Sequence, residues 1–157
     1  MNKPNELMPF QAQMQAAAEQ ALRDCNEVSG RYGLALSETE IRELTACRVQ
    51  ALKDTERVEF GEGILPKLID AFCDSPFLEA DAYASTLADL QDAFYYFKNE
   101  SMDRFSDDEL IELMVKVFNG RAQGSAEYLT GTSLEELCRY ARDGWDLHDA
   151  GEAGDLF

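Results

Sequence analysis

The sequence predicts an all-α protein, one domain built as a bundle of five or six helices joined by short turns. Three observations carry this. Tyr83, Leu87, Leu90, Phe94 and Phe97 recur at intervals of four, three, four and three, which places all five on one helical stripe at ~3.6 residues per turn. Two helix starts are written out in full, Ser37 with Glu40 and Ser106 with Glu109, each a serine N-cap followed three residues later by a glutamate. No stretch alternates apolar and polar residues with the β-branched enrichment of a strand.

The 157 residues fit one helical domain over 1–142, with 1–9 a flexible polar lead-in and 143–157 an acidic, partly disordered tail. Pro9 suits the first turn of helix 1, expected over 10–28, whose apolar face is Phe10, Met14, Ala17, Ala21 and Val28. Ser29-Gly30 ends it. Helix 2 begins after Ser37 with Leu36 and Ile41 as a hydrophobic staple, and carries Leu44, Cys47, Ala51 and Leu52 inward. Glu43, Arg48, Lys53 and Glu56 alternate in sign and read as its solvated face.

Gly61 and Gly63 bracket a turn before a short helix 3 over 64–73, with Pro66 in its first turn. Asp74-Ser75-Pro76 stops it, because the residue before proline leaves the helical region. Helix 4, over 81–99, carries the aromatic stripe and is expected at the centre of the core. Helix 5 repeats the signature of helix 2, with Phe105 and Leu110 as staple and Asn119-Gly120 as stop. A short turn over 125–129 leads to helix 6, capped by Thr132 or Ser133. In the tail, Asp143, Asp146, Asp149, Glu152 and Asp155 recur every third residue, a spacing that repels itself in a helix.

Charge is the unusual bulk property: 31 acidic residues against 14 basic, formally −17. Such a field repels phosphate backbones and anionic lipid, so no direct nucleic-acid binding and no membrane binding are expected. No apolar run approaches the ~18 residues of a membrane span, and the start lacks an apolar signal block, so a cytoplasmic location is expected. Cys25, Cys47, Cys73 and Cys138 lie far apart and form no C-x-x-C pair. All four are expected as reduced, buried thiols.

Catalytic constellations are scarce. His148 is the one histidine and lies in the tail, so it alone is available to activate a cysteine or serine. Cys73, the most exposed thiol by position, sits at a helix C-terminus, where the dipole raises a thiol pKa. A di-iron site needs two Glu-x-x-His motifs, which one histidine does not supply. The carboxylates Asp103, Asp107, Asp108 and Glu109 lack calcium-loop spacing and fit a helix cap better. Gly61-Glu62-Gly63 has no preceding strand and carries acids that repel a phosphate, so a plain turn is the better reading. Thr132-Ser133-Leu134 lacks the aspartate that precedes the serine in acyl carrier proteins. No catalytic, cofactor-binding or metal-ligating residue is assigned, and no cofactor is expected.

What remains is the last turn of helix 4. With Phe94 and Phe97 inward, Tyr95 and Tyr96 point about 100° and 200° round from Phe94. Tyr95, Tyr96, Lys98 and Asn99 therefore form the candidate interaction surface, an aromatic-basic spot on an acidic field.

Several segments together resemble an uncharacterised family of small acidic all-helical bacterial proteins, a domain of unknown function. They are Val58-Glu59-Phe60-Gly61, Ile64-Leu65-Pro66-Lys67-Leu68 and Ala71-Phe72-Cys73-Asp74-Ser75-Pro76. Phe94-Tyr95-Tyr96-Phe97-Lys98-Asn99-Glu100, Ser106-Asp107-Asp108-Glu109-Leu110 and Gly131-Thr132-Ser133-Leu134 complete the set. The resemblance spans roughly 36–142 and implies no activity. The function expected is a non-enzymatic module that binds an unidentified, basic protein partner. One alternative is a divalent-metal-dependent enzyme using Glu59, Glu62 and Asp103; another is an acidic mimic of nucleic acid that occupies a basic protein.

Overall fold

The computed structural model describes the backbone of residues 3–131 and 133–144 and the side chains of 12–131 and 134–144. Among these residues the chain is helical throughout, without strands. The helices are α1 (Lys3–Ser29), α2 (Glu38–Asp54), α3 (Leu65–Phe72), α4 (Tyr83–Glu100), α5 (Asp107–Asn119), α6 (Ala126–Gly131) and α7 (Ser133–Arg142). No helix among the described residues is long and apolar enough to cross a membrane. The expectations for His148 and the tail from residue 145 on, and for Thr132 as a cap, lie outside the described residues.

α4 is the axis of the bundle. Tyr83, Leu87, Leu90, Phe94 and Phe97 are each 1% exposed or less, and the helix packs against α2, α3, α5, α6 and α7. α1 closes the far side against α2 and α3. Phe72 of α3 meets Phe118 of α5 edge to face at 5.2 Å, so the shorter helices share one aromatic core. Both expected capping boxes are present, Ser37 with Glu40 and Ser106 with Glu109. Leu36, Ile41, Phe105 and Leu110 are buried beside them, as a staple requires.

Four details differ from the sequence expectations. α1 starts at Lys3, so Pro4 rather than Pro9 takes the first turn, and the polar lead-in joins the helix from Lys3 on. Among its described side chains Ala18, Leu22, Cys25 and Ser29 are buried, whereas Ala17 and Val28 are exposed; the expected Phe10 lies outside them. Alanines on both sides leave Leu22 and Cys25, which remove more apolar area from water, to set the rotation. The turn expected at 125–129 is a helix of its own, α6.

α2 is the fourth case. Cys47 is exposed and Arg48 is buried, the reverse of expectation, while Cys25, Cys73 and Cys138 are buried as expected. Arg48 turns inward because its stem packs against the bundle and its guanidinium meets a carboxylate there.

Candidate functional site

The last turn of α4 does not present its four candidate residues together. Tyr95 is 1% exposed and donates its hydroxyl to Glu59 Oε1 at 2.6 Å. Arg48 donates from Nε to the same oxygen at 3.0 Å. Gly63 lies flat against this guanidinium with φ at +87°, and a Cβ there would come within 2.6 Å of Arg48 Nε. Only glycine meets both demands. Burial and the bond to Glu59 push the Tyr95 phenol well above its ordinary range.

Lys98 is also buried, contrary to its expected place on the surface. Its Nζ donates to the Phe105 carbonyl at 2.9 Å and pairs with Asp107 at 2.9 Å. It thereby caps the connection from α4 to α5. Asn99 bridges in the other direction: Nδ2 donates to the Thr55 carbonyl at 2.8 Å, and Oδ1 accepts from Arg57 Nη1 at 2.7 Å. Arg57 grips Asp103 with both Nη atoms, at 2.6 and 3.3 Å, and holds that carboxyl below its usual range.

Tyr96 alone of the four reaches a concave surface. It is 36% exposed, and its hydroxyl donates to Glu135 of α7. That bond, then burial, raises the phenol pKa. The ring stands at one end of a groove of about 410 Å³ between α4 and α6.

The helical repeat builds this groove. Asp89, Asp92, Ala93 and Tyr96 line one strip of α4, while Ala126, Glu127 and Thr130 face them from α6. Fully buried Leu129 anchors α6 to the core, and Ser125 caps its start by accepting from the Tyr128 N–H at 3.1 Å. The small Ala93 and Ala126 leave the space between the helices open. Among the described residues no Lys or Arg pairs with Asp89, Asp92 or Glu127. Partial burial, then Asp89 and Asp54, raise the Asp92 pKa. The groove is an unneutralised acidic surface with an apolar floor and an aromatic wall, suited to a cationic side chain.

Other chemistries find less support. Glu59 and Asp103, two carboxylates of the metal alternative, are each held by an arginine. Among the described residues no group of three or more His, Cys, Asp and Glu side chains is placed to hold a metal ion. Burial pushes the Cys25 thiol to about 11 and Cys138 to about 12. Cys73 is likewise raised by burial, then by Asp74 and Asp70. These three thiols stay protonated at neutral pH and make poor nucleophiles.

A family model described as "Family of unknown function (DUF6323)" matches residues 21–147. The chain belongs to this family. No curated protein and no solved structure matches it. The DUF6323 match runs from the second half of α1 through α7, so it contains the whole α4/α6 groove. The family carries no assigned chemistry, and the groove is argued on its geometry. Its α4 half was readable in the sequence, because Asp89, Asp92 and Tyr96 already share a helical strip. Its α6 half was not, since nothing local shows which helix faces Glu127.

Proposed function

We propose that the protein is a non-enzymatic binding module that takes a basic segment of a partner protein into the groove between α4 and α6. One observation carries the reading: three carboxylates, Asp89, Asp92 and Glu127, surround an apolar floor with no Lys or Arg among the described lining residues. A lysine or arginine of a partner would relieve their mutual repulsion, while its stem covers Ala93 and Ala126 and its charge approaches the Tyr96 ring. The cytoplasm is the setting of this reading, supported by four cysteines that form no disulfide.

The test is a fluorescence-anisotropy titration with a labelled Lys/Arg-rich peptide and its Glu-substituted counterpart. The basic peptide should bind, weaken as salt rises, and lose about tenfold in affinity to D89N/D92N/E127Q. Equal binding of the acidic peptide, or no change in the folded triple variant, would overturn the proposal.

A further inference from the structure

A second cavity, of about 440 Å³, lies on another side of the molecule, between α1 and α2. Met14 and Ala18 of α1 and Val49 and Leu52 of α2 supply apolar walls. Its size falls in the range of small-molecule sites, and apolar lining with a few polar groups is their usual composition. The charged groups are Arg48, Lys53 and Glu59, and Gln15 and Thr45 add uncharged polar ones.

The local charge is the reverse of the molecule's. Arg48 is only 9% exposed and gives its Nε–H to Glu59, with Nη2 reaching the Glu59 carbonyl only at 3.5 Å. Five donors belong to a guanidinium, and the bonds to Glu59 and Tyr95 use only part of them among the described residues. The orientation is fixed, because Glu59 is gripped from behind by Tyr95 and Gly63 packs on the guanidinium. Lys53 is exposed at the rim, and no carboxylate of the described residues lies within ion-pair distance of it. Among the described lining residues two cations thus face one carboxylate, in a chain that is formally −17.

We infer that this cavity binds a small apolar carboxylate, of the class of a medium-chain fatty acid. The alkyl chain lies along Met14, Ala18, Val49 and Leu52, and the carboxylate meets Lys53 and the uncommitted edge of Arg48. This site is independent of the α4/α6 groove and does not rest on the partner reading.

Calorimetric titration of the full chain with hexanoate, octanoate and decanoate, kept below their micelle concentrations, tests it. Each added methylene should tighten binding about fourfold, the equivalent of ~0.8 kcal/mol per buried CH₂. Octylamine should bind at least ~10-fold more weakly than octanoate, because it meets the same cations. K53E, a change at an exposed position in the last turn of α2, should weaken octanoate about tenfold in a chain that remains folded by circular dichroism. Octylamine binding as tightly as octanoate, no saturable binding of decanoate, or an unaltered affinity in K53E would each overturn the inference. The basic-peptide titration should be indifferent to K53E, so the two sites fail separately.

Discussion

Tyr95 and Tyr96 are neighbours in sequence, and each donates its hydroxyl to a glutamate, yet they serve opposite sides of α4. Tyr95 meets Glu59, which Arg48 also holds. Around that side the chain concentrates cations against carboxylates: Arg57 on Asp103, and Lys98 on Asp107 and the Phe105 carbonyl. Tyr96 meets Glu135, and beside it Asp89, Asp92 and Glu127 have no such partner among the described residues. A chain with 14 basic residues against 31 acidic ones cannot neutralise every face. Buried and partly buried cations hold one side of the axis helix, and the other side is left with a net acidic field.

The sharpest way to break this contrast is to remove Arg48. Arg48→Ala leaves Glu59 partly buried with only the Tyr95 hydroxyl, and should cost about 3 kcal/mol in urea unfolding, the low end for breaking a buried pair. Adding Glu59→Gln removes the stranded charge and should restore about 1 kcal/mol of that. The exposed pair Lys67–Asp108 is the control, and Lys67→Ala should cost less than about 0.5 kcal/mol. If Arg48→Ala cost no more than Lys67→Ala, the cation-rich side would not be a lock.

The two tyrosines give the next effect. Tyr95→Phe deletes a buried bond to a charged acceptor and should cost about 1.5–2 kcal/mol. Tyr96→Phe deletes a bond of the same chemistry at the surface, where water replaces the partner, and should cost about 0.5 kcal/mol or less. Equal losses would show that burial does not separate the two sides.

What the sequence disclosed follows the range of the interactions. The capping boxes of α2 and α5 and the stripe of α4 are local, spanning three or four residues at a time, and each stands where spacing placed it. Arg48 and Lys98 were misplaced because a charged residue on a helix ordinarily belongs to the solvated face. Only contacts across loops, to Glu59 and to Phe105, bring them inside. Val58 and Phe60 are 81% and 78% exposed while Glu59 between them turns toward Arg48, the reverse of the apolar-inward alternation that this run would have in a strand.

The acidic side yields the smallest effect and the most direct check on its sign. Burial, Asp89 and Asp54 hold the Asp92 carboxyl above its ordinary value, about 3.9. Ionisation of Asp92 therefore disfavours the folded state. The folded state loses nothing below the ordinary value, loses progressively as pH rises through the raised value, and carries the full cost above it. Asp92→Asn removes the charge, so the variant should melt about 1–2 °C above the parent at pH 7 and converge with it near pH 3. The gap should shrink in 0.5 M salt, where the Debye length is only a few ångströms. A variant that melts lower at pH 7 would mean that Asp92 has a stabilising partner, and the contrast between the two faces of α4 would fail there.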